Sequence, residues 1–384
     1  MPPTEPDMLY APRACVRGVL LALLPVVIAG CATPRAPVAH RSPAEVRAQL
    51  VSLIPAKTPD RSGWAADIQT AFDHLNLPTS TENLCAVLAV IEQESTYVAD
   101  PPVPGLARIA REEIDRRAAR YSIPRLAVTA ALQLKSSTGE SYAQRLAAVR
   151  SERQLSYLYE ELIGKVPLGR RLFGGSNPVR TGGPMQVGIG FAERFAETRG
   201  YPYAEAETIR HEVFTRRGGL YFGTAHLLKY PNSYERHLYR FADFNAGWYA
   251  SRNAAFQAAV NRLAGTRLVL DGDLVIHDAG GDKISATERA VRSLAAELQL
   301  GEGTIRRTLE KGDRFDFEHS DLYRRVFALA DQRAGTTLPR AILPDIDLQS
   351  PKITRKLTTA WFATRVQDRY QRCVNRAFAN FPDP

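Results

Sequence analysis

Apolar residues recur at intervals of three and four along most of the chain, which is the pattern of amphipathic helices. Strand-like alternation is scarce. Its best example is residues 266–277, where Asp271-Gly272 supplies a hairpin turn between two short alternating runs. The sequence therefore predicts a mainly α fold with small β elements. The segments predicted to be helical are 43–54, 62–75, 80–95, 104–120, 139–163, 203–229, 233–263, 284–298, 303–311, 320–333 and 354–380.

An unbroken apolar stretch lies near the N-terminus, over residues 18–30. It contains Pro25, follows Arg13 and Arg17, and is too short to cross a bilayer comfortably. A basic flank, a short apolar core and small residues are typical of a secretory signal. We therefore predict that residues 1–30 are a signal peptide, and a buried N-terminal helix is the alternative.

The end of this stretch, Ile28-Ala29-Gly30-Cys31, resembles the bacterial lipobox. The resemblance implies that Cys31 is acylated and becomes the mature N-terminus. Ala32, where an Asp would retain the protein in the inner membrane, implies an outer-membrane lipoprotein that faces the periplasm. Two acyl chains anchor a protein stably to a lipid membrane. Residues 31–45 are predicted to be a flexible tether, and the cell wall is the abundant polymer within its reach.

The composition is that of a soluble globular body, since 45% of the 384 residues are apolar and 24% are charged. This balance excludes a wholly disordered chain and a polytopic membrane protein. The net charge of +9 is spread thinly, and we expect no nucleic-acid partner. Beyond the tether only Cys85 and Cys373 remain. An oxidising compartment permits a disulfide between them, and two buried free thiols are the alternative.

Segment 80–95 carries the candidate chemistry. Its apolar stripe has helical spacing and consists of Leu84, Val87, Val90 and Ile91. Glu94 extends the stripe, because it lies about 20° from Val87 when each residue turns the helix by about 100°. Burial raises the pKa of a carboxyl and lets it act as a general acid near neutral pH. An ion pair with an arginine is the alternative for Glu94, and Glu92 is predicted to be solvated.

Three motifs occur in the order in which the soluble lytic transglycosylases carry them. Residues 94–101 read Glu-Ser-Thr-Tyr-Val-Ala-Asp-Pro and resemble the Glu-Ser-x-Phe-Asn-Pro stretch of that family. Residues 183–187, Gly-Pro-Met-Gln-Val, resemble its Gly-Leu-Met-Gln-Leu turn. Residues 244–247, Phe-Asn-Ala-Gly, resemble its Tyr-Asn-Ala-Gly. The three in this order are more specific than any one of them.

The resemblance implies a lysozyme-like fold and cleavage of the β-1,4 bond between N-acetylmuramic acid and N-acetylglucosamine in peptidoglycan glycan strands. It implies that Glu94 is the single catalytic acid and base, and that no metal or organic cofactor takes part. It further implies substrate-site roles for Ser95, which holds the backbone of the acid, for Met185 and Gln186, which line the sugar cleft, and for Asn245, which lies near the acetamido group.

The chain departs from the family in the length of one connection. Residues 103–173 stand where the family has a short link, and we predict that they are a helical insertion. Such an insertion could cap the cleft, bind an envelope protein partner or recognise peptide stems. We accordingly predict a lysozyme-like domain over residues 46–263 and a mostly helical extension over residues 264–384.

Two other functions stay open. The chain as a whole also resembles a group of proteobacterial lipoproteins of uncharacterised function. A non-catalytic wall-binding or scaffold lipoprotein is one alternative, since Pro184 and Phe244 depart from the family pattern. A hydrolytic muramidase is the other, and it needs a second carboxylate, for which Asp100 and Asp243 are available. We interpret Asp100 as a turn residue before Pro101 and Asp243 as a helix surface charge.

Overall fold

The structure, a computed structural model, describes residues 41–165, 171, 174–277, 283–348 and 356–380. Its secondary structure is mainly helical, as the sequence predicts. Two short 3₁₀ turns lie at Gly174–Ser176 and Phe315–His319, and two strands, β1 (Thr181–Gly182) and β2 (Val187–Gly188), pair antiparallel. The helices are α1 (Pro43–Leu53), α2 (Arg61–His74), α3 (Thr81–Glu94), α4 (Leu106–Arg120), α5 (Arg125–Leu132), α6 (Tyr142–Ala148), α7 (Glu152–Lys165), α8 (Ile189–Arg199), α9 (Ile209–Val213), α10 (Arg216–Leu228), α11 (His237–Ala246), α12 (Ala250–Ala264), α13 (Ala286–Ser293), α14 (Ala295–Leu298), α15 (Glu302–Leu309), α16 (Asp321–Ala334) and α17 (Thr359–Asn380).

The predicted signal peptide 1–30, the proposed lipid site Cys31 and the tether up to residue 40 lie outside the described residues. Helix α1 starts earlier than the predicted end of the tether. Ser42 caps it by accepting a hydrogen bond from the N–H of Glu45, whose carboxylate accepts one from the Ser42 N–H. Within the described residues, no helix combines the length and the apolarity that a membrane crossing requires.

Several long predicted helices are divided in the structure. The pairs α6 and α7, α9 and α10, and α11 and α12 each take the place of one longer segment. The break between α11 and α12 falls at Gly247 and Tyr249, which adopt φ values of +108° and +65°. A positive φ ends a right-handed helix, and glycine adopts it without steric cost. Helices α5 and α8 are further differences, because no helix is predicted at either place.

The hairpin predicted at residues 266–277 is wrong, because these residues form an irregular loop. The Asp271 carboxylate accepts hydrogen bonds from Gln257 Nε2 at 2.8 Å and from the Asp273 N–H at 2.9 Å. The N–H of Gly272 donates to Gln257 Oε1 at 2.8 Å. The polar groups of this turn are therefore bound to α12. These bonds hold the loop against that helix, and the loop does not form the hydrogen bonds of a hairpin.

Three hydrophobic clusters make up the interior. The first joins α1, α2, α3, α10, α11 and α17. The second joins the helices of the predicted insertion, α4 to α7, with α8 and the outer face of α10. The third is built by α12 to α16. The predicted C-terminal extension thus divides between two clusters, and the chain from Arg41 onward forms one compact unit.

Helix α17 packs on both α3 and α11. Cys85 of α3 contacts Cys373, and Glu92, near the end of α3, contacts Arg369. Along α11, the His237 ring lies 5.0 Å from the Tyr370 ring, and Asn245 near the other end bonds Thr359. Helix α11 is therefore antiparallel to α17.

Candidate functional site

Glu94 is the last residue of α3. The predicted apolar stripe of this helix is confirmed, since Leu84, Val87, Val90 and Ile91 are completely buried in the first cluster. Glu94 itself is half-buried. The stripe fixes the rotation of the helix, and the end of the helix presents a carboxyl at the edge of the core. This matches the prediction for the position of the side chain.

Glu92 is less solvated than predicted. Its side chain is 36% exposed, and Oε1 lies 3.5 Å from Arg369 Nε and 3.9 Å from Arg372 Nη2. Both arginines belong to α17, which covers this face of α3. This helix is predicted within segment 354–380, but its place over Glu92 is not, because the two segments lie more than two hundred positions apart. The two glutamates of α3 therefore lie in different surroundings.

The backbone reverses sharply after Glu94. Thr96 and Tyr97 both have positive φ values, +50° and +61°, which are strained for residues that carry a branched or bulky side chain. The Tyr97 hydroxyl donates to the Leu88 carbonyl at 3.3 Å, and its ring packs edge-on against Trp64. These contacts hold the strained turn in place. Motif matching identified the Glu-Ser pair and did not reveal this strain.

Ser95 stabilises the helix end. Its hydroxyl donates to the Ile91 carbonyl at 3.1 Å, and the residue is only 7% exposed. The predicted role in holding the backbone of Glu94 agrees with this bond. The predicted place among the substrate-binding residues does not, because the hydroxyl is buried and already bonded within the helix. Ser95 is thus a positioning residue in this structure.

The second motif forms the turn between β1 and β2. Gly183, with a φ of +73°, opens the turn, and Gln186 closes it at +49°. Gln186 is half-buried and its Nε2 donates to the Gly183 carbonyl at 3.3 Å. Thr181 Oγ1 donates to Gln186 Oε1 at 3.4 Å. These bonds give the Gln186 amide a fixed direction at the surface of the turn.

Met185 is completely buried, so its predicted place in the lining of the sugar cleft is wrong. Its side chain lies on Gly223 of α10, where an added Cβ would stand 2.5 Å from the Met185 sulfur. Pro184 lies in the same way on Gly219, one turn earlier. The two glycines remove the side chains that would otherwise separate the turn from the helix. Met185 therefore anchors the turn and leaves Gln186 to face outward.

The third motif ends α11. Asn245 is exposed, and its Oδ1 accepts a hydrogen bond from Thr359 Oγ1 at 2.9 Å. Phe244, one residue earlier, is buried in the first cluster. This alternation turns the ring inward and the amide outward. The bond to Thr359 fixes the amide at the start of α17.

Asp243 is fully buried, so its predicted place as a helix surface charge is wrong. Its Oδ2 accepts from the hydroxyls of Tyr230 and Tyr234 at 3.0 and 2.7 Å and from the Tyr249 N–H at 2.9 Å. Its Oδ1 accepts from the Ser251 N–H at 2.8 Å. Burial raises the pKa of Asp243 despite these bonds. The carboxyl ties α11 to the first turn of α12, where a negative charge is favoured by the helix dipole.

Asp100 binds the predicted insertion. Its Oδ2 accepts from the Ser151 hydroxyl at 2.9 Å and lies 2.9 Å from Arg153 Nη2. The loop after Glu94 is thereby tied to the start of α7. Both candidates for a second catalytic carboxylate are thus committed to structural partners.

All three motif segments contribute buried residues to the first cluster. These are Ile91 near the end of α3, Met185 in the β1–β2 turn and Phe244 near the end of α11. Helix α10 contacts α11, since His226 packs on Phe244 and the Leu227 carbonyl accepts from Arg240. One hydrophobic cluster therefore joins the segments that carry the motifs.

A cleft of about 590 Å³ is lined by residues that follow two of these segments in the sequence. Its lining includes Phe191, five residues after Gln186, and Ala246, the residue after Asn245, but not Glu94, Gln186 or Asn245 themselves. One wall is aromatic and the other is acidic. The aromatic wall consists of Phe191, Phe195, His226 and Trp248, and the acidic wall of Asp271, Asp273, Glu310 and Asp313.

The aromatic wall is rigid. Trp248 donates from Nε1 to the His226 carbonyl at 2.8 Å and stacks on Tyr230 with ring centres 5.1 Å apart. Phe191 packs edge-on against both His226 and Trp248. Burial lowers the pKa of His226 to about 4, so this ring is neutral at physiological pH. The four rings are thus uncharged, and Arg194, on the same helix as Phe191, also lines the cleft.

The acidic wall was not predicted as part of a site. Its residues belong to the loop after α12 and to the end of α15, both in the predicted C-terminal extension. Burial and the neighbouring Asp271 raise the pKa of Asp273. The only signal in the sequence was Asp271-Gly272, which we interpreted as a hairpin turn. The described residues of the insertion 103–173 do not line the cleft.

The two cysteines of the body are joined in the structure. Cys85 on α3 and Cys373 on α17 form a disulfide, with Cα atoms 5.5 Å apart. The bond lies in the first cluster, where Cys85 is fully buried. It therefore fixes the register of α17 against the helix that ends in Glu94.

The comparison with protein families gives a match over residues 57–376, to the family described as "Protein of unknown function (DUF1615)". The chain belongs to this family. A relative in Escherichia coli (strain K12), named "Uncharacterized protein YaiW", is 53% identical to this chain over 359 residues. That alignment covers 93% of this chain and 97% of the relative. No solved structure matches.

The family match covers most of the residues that form the candidate site. Glu94, Gln186, Asn245 and both walls of the cleft fall within residues 57–376. Neither the family description nor the name of the relative states an activity. A function for this site must therefore be argued from its chemistry.

Proposed function

We propose that the protein is a peptidoglycan lytic transglycosylase with Glu94 as its acid and base, on a lysozyme-like core formed by α3, the β1–β2 turn, α10 and α11. The observation that supports it is that all three motif segments contribute to the first cluster, in which Ile91, Met185 and Phe244 are buried. The strained turn at Thr96 and Tyr97 adds support, since strained backbone is concentrated at catalytic sites.

The proposed reaction needs one carboxyl. Glu94 gives its proton to the oxygen of the glycosidic bond between N-acetylmuramic acid and N-acetylglucosamine, and that bond breaks. The Glu94 carboxylate then takes the proton of the muramoyl 6-hydroxyl, whose oxygen bonds to the anomeric carbon. The products are a free 4-hydroxyl and a 1,6-anhydro ring. No water is consumed, and Glu94 ends in its starting protonation state.

The neighbouring side chains have matching roles in this proposal. The Gln186 amide, held by Gly183 and Thr181, binds polar groups of the sugar. The Asn245 amide lies near the acetamido group, which stabilises the positive charge at the anomeric carbon. Ser95 and Met185 hold the segments that carry these groups. Groups held in fixed positions lower the entropic cost of reaching the transition state.

The cleft is the proposed path of the glycan strand. Sugar rings pack their C–H faces on aromatic side chains, and Phe191 and Trp248 provide such faces beside the motif segments. The acidic wall offers carboxylate acceptors for sugar hydroxyls and amides. The cleft is too small to enclose several sugar units. We therefore propose that the glycan strand extends beyond the cleft toward Glu94.

The bonds of the other carboxylates favour the transglycosylase over a hydrolytic muramidase. Asp243 accepts four hydrogen bonds and has no exposed surface, so it offers no site for an attacking water. Asp100 is engaged with Ser151 and Arg153. A hydrolase needs a free second carboxylate near the reacting carbon.

We also propose that acylation of Cys31 holds the protein at the outer membrane, where the tether lets it reach the cell wall. The proposal rests on the lipobox-like sequence and the preceding signal-like segment. Mass analysis of the mature N-terminus tests it, since acylation adds the mass of the lipid to Cys31 and a chain that starts before residue 31 contradicts it.

The decisive experiment compares three proteins that begin at Ala32: wild type, Glu94→Gln and Glu82→Gln. The control residue lies on the same helix at its opposite end. We expect wild type and Glu82→Gln to release anhydro-muropeptides from peptidoglycan. Loss of the acid in Glu94→Gln lowers the rate about a hundredfold to ten-thousandfold. Mass spectrometry of the muropeptides provides the measurement.

Each of the other outcomes supports a different function or a different acid. Products with one added water indicate a hydrolytic muramidase. Full activity in Glu94→Gln removes Glu94 from the role of the acid. Peptidoglycan that is bound but not cleaved by wild type supports the wall-binding or scaffold lipoprotein, whose binding surface would be the aromatic cleft.

A further inference from the structure

A second cavity lies on the opposite side of α3 from the apolar stripe. It has a volume of about 250 Å³ and lies between α3 and α17, near the end of α1. Its charged lining residues are Glu92 from α3 and Arg369, Arg372 and Arg376 from α17. Leu53 and Tyr97 contribute to its apolar floor. Neither the proposed glycan cleft nor Glu94 shares this cavity.

The arginines face the cavity together because of their spacing. Arg369, Arg372 and Arg376 are three and four residues apart, so they lie on one face of α17. Arg376 is held by a bond from Nη1 to the Leu53 carbonyl at 3.2 Å, and Arg369 donates from Nη1 to the Arg365 carbonyl at 3.2 Å. The disulfide at Cys373, within the same face, fixes the helix beneath them.

The charge of this cavity is not balanced by its described lining residues. Three arginines face one carboxylate, which leaves a net charge of +2 from the lining side chains. Arg369 Nε is buried without a hydrogen bond, 3.5 Å from Glu92 Oε1, and Arg372 is 3.9 Å from the same oxygen. Burial and the charges of Arg365 and Arg372 lower the pKa of Arg369. These guanidinium groups therefore have donors to spare.

We propose that Arg369, Arg372 and Arg376 form a binding site for a phosphate group. Phosphate suits the cavity because it is anionic and because guanidinium groups bind its oxygens in pairs. A carboxylate has only two oxygens and would leave more of the N–H groups of the three arginines unmatched. The phosphate comes either from the headgroup of an anionic lipid or from a soluble phosphate compound. The site does not depend on the proposed cleavage of glycans.

The first test measures binding of inorganic phosphate to the protein from Ala32 onward by thermal unfolding at constant ionic strength, with chloride as the reference anion. We expect phosphate to raise the Tm of wild type. Arg372→Gln lowers the apparent affinity about tenfold, since a charge-assisted bond is lost. Arg324→Gln is the matched control. Its side chain is 65% exposed on α16, against 60% for Arg372 on α17, and it has no place in the cavity.

Glu92→Gln gives an effect of opposite sign. The carboxylate competes with phosphate for Arg369 and Arg372, so its removal raises the phosphate affinity severalfold. A variant that merely unfolds cannot mimic this gain. Equal stabilisation by phosphate and chloride, or equal losses in Arg372→Gln and Arg324→Gln, would overturn the proposal.

Vesicles distinguish the two sources of phosphate. The same proteins are mixed with phosphatidylcholine vesicles, with and without phosphatidylglycerol. The fraction of each protein that floats with the vesicles in a density gradient is measured. Flotation with phosphatidylglycerol vesicles that Arg372→Gln loses and Arg324→Gln keeps assigns the site to lipid headgroups. Binding of inorganic phosphate without flotation assigns it to a soluble phosphate compound. Absence of both contradicts the site.

Discussion

Asp243 illustrates how a single residue can be misjudged from its neighbours in the sequence. It lies two positions before Asn245, on a helix that is amphipathic, and it was predicted to be exposed. The structure buries it because the loop after α10 returns two tyrosine hydroxyls to it and α12 adds two N–H groups. None of these donors is close enough in the sequence to be identified by helical periodicity.

We predict that Asp243→Asn lowers the free energy of unfolding by about 1–3 kcal/mol, because the new Nδ2 cannot accept the bond that Oδ1 accepts from Ser251. The effect depends on pH. The pKa of Asp243 is raised by burial, so the folded protein binds a proton above the pH at which the unfolded chain releases it.

The stabilising contribution of this carboxyl is therefore complete below the ordinary pKa of an aspartate and is lost as pH rises through the raised value. Urea unfolding of wild type and Asp243→Asn across that range measures it. The stability difference between the two proteins is expected to narrow as the pH increases. A difference that widens with pH would contradict the raised pKa.

The motifs distinguish poorly between side chains at the surface and side chains in the interior. Glu94 lies at the end of α3, near the end of the predicted segment 80–95, whereas Asn245 was predicted inside segment 233–263 and lies near the end of α11. Met185 and Ser95 were placed in the substrate site by resemblance, and both are buried. A motif records which residues occur together and does not record which of them support the others.

At the scale of elements, the contact between α10 and the β1–β2 turn is governed by two glycines. Gly219 and Gly223 are four residues apart and so lie on one face of α10, under Pro184 and Met185. Glycine inside a helix lowers helix stability. We infer that the packing of Pro184 and Met185 on these two glycines stabilises the protein by more than the glycines destabilise the helix.

We predict that Gly223→Ala destabilises the protein by about 1–3 kcal/mol, because the added Cβ would lie 2.5 Å from the Met185 sulfur and 2.6 Å from its Cβ. The displaced turn moves Gln186, so glycan cleavage falls as well. Chemical unfolding and the muropeptide assay measure the two effects.

Gly303→Ala provides the contrast. Gly303 is also helical, on α15, and its nearest neighbour in the direction of an added Cβ is Arg307 Nη1 at 3.4 Å. This variant is expected to be equally stable or about 0.5–1 kcal/mol more stable, from helix propensity alone. Equal losses in both variants would mean that the contact with Met185 is not the cause.

Most helices were predictable because their apolar faces repeat with the helical period over ten or more residues. The errors have a common physical origin. Tyr249 adopts a positive φ in the middle of a helical pattern, where Asp243 binds its N–H and Tyr230 packs edge-on against its ring. The loop at Asp271 carries an alternating pattern, but Gln257 binds its polar groups. In both places a distant residue outweighs the local pattern.

At the scale of the whole molecule, the Cys85–Cys373 disulfide closes a loop of 288 positions. Closure of so long a loop removes much of the entropy of the unfolded chain, and stabilisation of about 2–5 kcal/mol is typical of such a bond. We predict that dithiothreitol lowers the Tm of the protein from Ala32 onward by several degrees. Thermal unfolding with and without the reductant measures the change.

The variant that carries both Cys85→Ser and Cys373→Ser supplies the comparison. It has no disulfide to reduce, so its Tm is expected to lie below that of the oxidised wild type and to be unaffected by dithiothreitol. A wild-type Tm that does not respond to the reductant, together with two titratable thiols, would establish the alternative of free cysteines.

The packing of α17 on α3 and α11 has a consequence for the order in which the protein completes its contacts. Synthesis from the N-terminus delivers α3 early and α17 last. Until Thr359 and the residues after it have emerged, Asn245 lacks the bond from Thr359 and Cys85 lacks its disulfide partner. A chain interrupted before that point therefore carries every motif residue and lacks both of these contacts.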